Sequence, residues 1–248
     1  MKVIDAYWEI RNSGLTTCEI VFEAGDSIDD FLAVNVEKNF RYSVVKIPSD
    51  NLKLLHNLEE IGYEYIETQF NICVATSEID KIDKKWIRVI NGTGYQKLKN
   101  SQDLDIILSN VGKGMFNSDR IYLDEKLGKE TSAIRYINWI KDLFKESDSE
   151  IFYLTKQDNK VGFFIIHNGS KKCIHSVIAG IFIKYQGHGL PVALIYYYLK
   201  LASERNAKCV FTSFSSNNID MFNTFTKTVS FKTVSVFYVL RRLIDEKH

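Results

Sequence analysis

The chain has 248 residues, enough for one large domain or two small ones, and 45% of them are hydrophobic, so a packed core can form and global disorder is excluded. Its 32 Lys and Arg residues balance 31 Asp and Glu residues to a net charge of +1, which argues against the clustered basic footprint of non-specific nucleic-acid binding. Asp5, Glu9 and Arg11 interrupt the opening residues, so no secretory signal is expected. No run of about 18 uncharged apolar residues offers a membrane span, and the expected location is cytoplasmic.

Residues 1–40 read as a mixed strand and helix preamble. Tyr42–Ile47 is rich in β-branched residues and predicts a strand. Pro48-Ser49-Asp50 then offers a turn and helix cap, Leu52, Leu55 and Leu58 recur at helical spacing, and Gly62 suits the stop. Tyr63–Val74 predicts a long strand. The charge-dense stretch from Ser77 to Lys85 marks a domain boundary, giving parts 1–85 and 86–248.

The second part is read as a strand at Trp86–Ile90 and helices at Asp103–Asn110 and Ser132–Lys145, the latter with Ile134, Ile137 and Ile140 on one face. Between those helices Phe116–Asp124 reads as a polar loop. Glu150–Thr155 and Val161–His167 predict a hairpin, Lys172–Lys184 a strand, Gly187–Glu204 a helix, Lys208–Phe214 a strand and Ile219–Thr226 a helix. Paired strands over Val229–Arg241 close the chain. The order specifies an α/β or α+β fold with a mixed sheet. Cys18, Cys73, Cys173 and Cys209 are scattered with no CxxC spacing. Each is expected to be buried and reduced, and no metal site is expected.

The segment Ile181-Phe182-Ile183-Lys184-Tyr185-Gln186-Gly187-His188-Gly189-Leu190-Pro191 carries the most chemical information. A strand ends, a glycine loop follows and a helix opens on a proline, the residue favoured in a first helical turn. A helix N-terminus presents unpaired N–H groups and partial positive charge, and glycines let the backbone close on phosphate oxygens, so this is an anion site suited to a pyrophosphate. A Gly-Lys-Ser/Thr ending is absent, and Val192 stands where a dinucleotide GxGxxG loop needs its third glycine.

Gln186-x-x-Gly189-x-Pro191 resembles the Gln/Arg-x-x-Gly-x-Gly/Ala loop of the GNAT superfamily of acyl-CoA N-acyltransferases, with Pro191 departing from the usual small residue. The resemblance implies a GNAT-type core over 86–248 behind a degenerate N-terminal half-domain, with acetyl-CoA as donor. It assigns Gln186, Gly187, His188, Gly189, Leu190 and Pro191 to the pyrophosphate and Ala179, Gly180 and Ile181 to the pantetheine arm, with Gly180 suited to a β-bulge. Asn218 also falls at a coenzyme A contact position. The Ile181 N–H would polarise the thioester oxygen, and His175, earlier on the same strand, would take the amine proton, as a histidine titrating near neutrality can. Phe225 lies beside the cofactor where the family commonly has a proton-donating Tyr. Tyr185, Tyr196, Tyr197, Tyr198 and Tyr238 are candidates to replace it, and the sequence does not choose among them.

A narrower resemblance, to the TDP-fucosamine acetyltransferase type, rests on Ile61-Gly62-Tyr63, Ser118-Asp119-Arg120-Ile121 and the closing Phe237–Arg241. It implies an amine acceptor on a nucleotide-linked sugar, touched by Arg120, Asp124 and Tyr238. Two alternatives stay open: an acyl-CoA-binding module with weak or no turnover, and a transferase of a longer acyl group. A homodimer paired through the final strand is a further expectation.

Overall fold

The computed structural model describes residues 1–34, 36–169 and 172–244. A ten-stranded mixed sheet contains β1 (Lys2–Asp5), β2 (Thr17–Val21), β3 (Tyr42–Pro48), β4 (Glu64–Ala75), β5 (Thr93–Lys97), β6 (Ser149–Lys156), β7 (Asn159–Asn168), β8 (Cys173–Ile181), β9 (Cys209–Ser215) and β10 (Lys232–Leu243). The helices are α1 (Ile10–Ser13), α2 (Ile28–Val34), α3 (Leu52–Glu60), α4 (Lys84–Ile90), α5 (Leu104–Gly112), α6 (Arg120–Leu123), α7 (Gly128–Lys145), α8 (Pro191–Glu204) and α9 (Ile219–Thr228). The mixed α/β class expected from the sequence is the one observed. No helix among the described residues is long and apolar enough to cross a membrane.

The spatial order β1-β2-β3-β10-β4-β9-β8-β7-β6-β5 encloses an exchange. The runs β2–α2–β3–α3–β4 and β8–α8–β9–α9–β10 share one plan, three strands pointing the same way with a helix in each connection. Each run lends its last strand to the other. β4 lies between β9 and β10, while β10 lies between β3 and β4, antiparallel on both sides.

Tyr238 belongs to the core under α2 and α3, and its register partner Thr68 shares a sheet face with Phe70, which packs in the core under α8 and α9. The four crossover helices therefore cover one face of the sheet. α5 and α7 cover the other, over Ile151, Tyr153, Phe163 and Ile178. α8 buries Val192, Leu194, Ile195, Tyr197, Tyr198, Leu199 and Leu201. At about 1.5–3 kcal/mol for each large apolar side chain, that burial fixes the helix against β8 and β9.

Three expectations are corrected. Trp86–Ile90 is helical, within α4. Asp83 caps that helix by accepting from the Lys85 N–H at 2.9 Å, and Trp86, Ile87 and Val89 pack on the α8 core. The closing segment is one strand, because β4 from the first half of the chain takes the neighbouring place in the sheet. Cys173 and Cys209 are joined in a disulfide, since the parallel register of β8 and β9 sets them opposite one another. Cys18 and Cys73 are free.

Candidate active site

β8 and β9 pair only where Cys173–His175 faces Cys209–Phe211; beyond that point the strands diverge. The cause is a bulge in β8. Its register with β7 steps from Ile166–Ser176 to Ile165–Ile178, which leaves Val177 without a partner and bends the strand. The bulge expected at Gly180 thus falls at Val177. Gly180 is glycine for a different reason, since a Cβ there would overlap Met115 Cε and press on the Phe116 ring at 3.1 Å.

Above the bulge the Phe182 N–H donates to Val161 O of β7 at 2.9 Å. Alternation along the strand then turns the N–H groups of Ile181 and Ala179 away from β7, into the gap toward β9. Ile181 stands at the loop end of this slot, four positions above the bulge.

The slot opens onto the glycine loop. Gly187 and Gly189 hold φ of +80° and +71°, the left-handed region that glycine enters without strain. Gln186 ties the loop to β8, its Nε2 donating to Ile181 O at 3.1 Å. His188 Nδ1 lies 2.9 Å from Gln186 O and 3.2 Å from Tyr185 O; both neighbours are carbonyls, so Nδ1 carries the proton and donates. Pro191 opens α8, and no side chain caps the helix. Among the described residues the backbone N–H groups of Gly187, His188, Gly189 and Leu190 find no acceptor. Gly187 is exposed, and a Cβ there would meet nothing within 4 Å. Four free amides at the positive end of a buried helix form a cradle for an anion.

Phe225 comes down on the slot from α9. It is 3% exposed and stacks on Phe214 with centroids 5.8 Å apart. Asn218 caps α9, its Oδ1 accepting from the Met221 N–H at 3.1 Å, and among the described residues its amide NH2 has no acceptor.

The remaining expected residues stand elsewhere. His175 is at the closed end of the V, with its ring against Phe211 at 5.3 Å. Its neighbour Ile174 packs on the α8 side, so His175 faces the α5–α7 side; the bulge then reverses the alternation and puts Ile181 on the α8 side. Six positions of strand, about 20 Å, separate the two. Burial and then the neighbouring His167 hold the His175 imidazole below its ordinary value.

Asp124 is buried against Arg241, accepting from Nε at 2.7 Å and Nη2 at 3.1 Å, and its Oδ1 also accepts from the Lys126 N–H. These bonds engage both carboxylate oxygens. Arg120 opens α6, a short helix where the sequence predicted a loop, and lies 3.6 Å from both Glu19 and Glu67. It lines a second cavity with Glu9, Tyr42 and Arg135 over β2 and β3. Four strand spacings, about 20 Å, separate that cavity from the β8–β9 slot. Tyr238 packs edge-on against Tyr65 in the middle of the sheet.

The chain matches no family model, and no curated protein matches it significantly in sequence. Solved structures do share its shape. A functionally unknown conserved protein from Staphylococcus epidermidis superposes with a TM-score of 0.66 at 14% identity, over 93% of this chain and 85% of the other. A GCN5-related N-acetyltransferase from Sphaerobacter thermophilus gives 0.64 at 11% identity, over 97% and 75%. A tandem GNAT protein from the clavulanic acid biosynthesis pathway gives 0.56 at 11% identity, over 94% and 76%. The fold is the GCN5-related N-acetyltransferase (GNAT) fold.

Within this GNAT fold the two halves differ at the decisive place. β2 and β3 pair without a break from Thr17–Tyr42 to Val21–Lys46, so the first half has no slot. The segment entering α2 carries Glu23, Asp26, Asp29 and Asp30 where the second half has its glycine loop. One residue of the slot had only a weak sequence signal. Tyr198 was one of three consecutive tyrosines, and only the helix orientation shows which of them points under the V.

Proposed function

We propose that the chain is a coenzyme A-dependent N-acyltransferase, moving an acetyl group from acetyl-CoA to a primary amine. The observation that supports this most is the alignment of the free amides at Gly187–Leu190 with the amide-lined slot between β8 and β9. The residues present fit the donor. The loop and the N-terminus of α8 would hold a diphosphate, and the N–H groups of Ala179 and Ile181 would pair with an extended amide-bearing arm. The bound donor supplies an activated acyl thioester. The chain contributes orientation, exclusion of water by Phe214 and Phe225, and backbone N–H groups aimed where negative charge gathers on the thioester oxygen. Residues 86–248 with β4 form the working unit, and 1–85 are a degenerate repeat whose closed β2–β3 pair and acidic entry to α2 suit no phosphate. A nucleotide-linked amino sugar is the first acceptor to try; the sequence likeness alone favours it.

Calorimetry with coenzyme A tests the reading. We expect saturable binding, weakened at least tenfold in Gly189→Asp, which sets a β-carbon in a left-handed position and a negative charge in the cradle. No binding at millimolar coenzyme A would overturn it. A second reading, a module that binds acyl-CoA without turnover, draws on Phe225, whose ring has no proton to give. Binding with no acetyl transfer to a panel of amino-sugar nucleotides and small amines would favour it.

A further inference from the structure

The cavity over β2 and β3 is walled by the Tyr7–Glu9 turn, α1, α6 and α7. It has a volume of about 70 Å3, room for roughly five to seven waters. Trp8 lines it and is 40% exposed, so this ring stands at the mouth. Polar contacts hold the covering segment to α7. Arg135 Nε donates to Glu9 Oε1 at 2.7 Å, Asn138 Nδ2 donates to Asn12 Oδ1 at 2.8 Å, and Arg11 pairs with Asp142.

Four charged side chains line the cavity: Glu9, Glu19, Arg120 and Arg135. Glu9 and Arg135 bond to each other, and Asn12 Nδ2 donates to the second Glu9 oxygen at 2.8 Å. Arg120 and Glu19 are placed differently. The Arg120 side chain is only 14% exposed, yet among the described residues its guanidinium makes no hydrogen bond. Nη2 stands 3.6 Å from Glu19 Oε2 and Nη1 stands 3.6 Å from Glu67 Oε1, both beyond hydrogen-bond reach. Lys46 Nζ pairs with Glu19 Oε1 at 2.7 Å, and Oε2 has no donor among the described residues. Burial works against both charges, but Lys46 and Arg120 hold the Glu19 carboxyl below its ordinary value, while Glu67 and Glu19 hold Arg120 above its own. A fork of N–H groups and a carboxylate oxygen, side by side and enclosed without bonding each other, call for a group between them.

We propose that this cavity binds a free α-amino acid with a small apolar side chain. The ligand carboxylate takes the Arg120 fork, its ammonium donates to Glu19 Oε2, and its side chain lies toward Val44, Ile121 and Leu127. Charge selects the zwitterion. Arg120 and Lys46 balance Glu19 and Glu67, so a lone anion or cation would bring an uncompensated charge into an enclosed site, and a zwitterion does not. Volume selects a small one, since a space of a few waters excludes a nucleotide. The cavity stands about 20 Å from the β8–β9 slot. An amino acid held here is therefore out of reach of a transfer at that slot, and the inference stands apart from the coenzyme A reading.

Calorimetry on the full-length protein tests it, with L-valine as the probe. We expect saturable binding, one per chain. Isovalerate, which lacks the ammonium, and isobutylamine, which lacks the carboxylate, should each bind at least tenfold more weakly. Arg120→Lys keeps the charge but loses the fork and should weaken L-valine at least tenfold. Because Arg120 sits in an ion-pair network, Thr131→Phe supplies a second variant. It fills the cavity from α7, touches none of these charges and removes only a bond to Leu127 O within the helix. Its melting temperature should stay within a few degrees of the unaltered protein, its coenzyme A affinity should be unchanged, and its L-valine binding should disappear. No saturable binding of L-valine, L-alanine or L-serine at millimolar concentration would overturn the proposal. So would L-valine binding that survives Thr131→Phe, or half-ligands that bind as well as the whole. Failure to bind coenzyme A would bear on the transferase reading alone.

Discussion

Asp124 and Glu150 show how one side chain's surroundings set its work. Asp124 is enclosed with Arg241, and removing one partner of such a pair strands the other charge. Asp124→Ala should therefore lose about 3–5 kcal/mol in urea unfolding. Glu150 is mostly buried, which by itself raises a carboxyl pKa, yet it accepts from Lys97 Nζ at 2.5 Å, Arg205 Nη1 at 2.6 Å and Asn168 Nδ2 at 3.0 Å. These bonds hold it down to about 2, below the ordinary 4.5. A lowered carboxylate pKa stabilises the fold above about pH 4.5, and that gain disappears as the pH falls toward 2. In Glu150→Gln the acid limb of stability against pH should flatten across that window; an unchanged limb would contradict the assignment. Neither environment was legible in the sequence. Asp124 read as a loop residue open to an acceptor, because its partner lies 117 positions away. His175 read as sharing a sheet face with its strand neighbours up to Ile181 because the bulge that puts the two on opposite faces has no sequence signature.

Single elements were easier to read than their neighbours. The strand–helix–strand from Tyr42 to Val74 and the strand–loop–helix around Gly187 follow from β-branched runs, caps and glycines that act within a few residues. The path of β8 depends on what crosses it. A Cβ at Gly162 would come within 2.5 Å of the Gly180 carbonyl oxygen, a backbone atom that cannot step aside. A Cβ at Gly180 would meet chiefly the flexible end of Met115. Gly162→Ala should thus destabilise the protein whatever else is changed, whereas Met115→Ala should rescue much of the loss in Gly180→Ala. Equal rescue of both would refute the distinction. The Cys173–Cys209 bond closes the foot of the V. Under non-reducing denaturation two thiols should react, four after reduction, and Cys173→Ser should cost about 2–4 kcal/mol under oxidising conditions.

For the molecule as a whole, a boundary at residue 85 divides the sequence more cleanly than it divides the sheet. β4 comes before it, yet it completes the edge of β9. Residues 86–248 produced alone should aggregate or melt without cooperativity, and mixing with 1–85 should restore a soluble pair. A stable, cooperative 86–248 fragment would contradict this. The mixed class could be inferred from element order, but the exchange of β4 and β10 could not, because it depends on pairings between distant segments of similar β-strand character.

The place of β10 also bears on how the protein is made. A ribosome releases the partners of this strand, residues 42–75, long before residues 232–243 emerge. Through most of translation β3 and β4 therefore wait with a vacant lane between them, exposed to any extended peptide that fits. Nascent chains stalled before residue 232 should accordingly be held by chaperones, and their release should coincide with the arrival of the last strand.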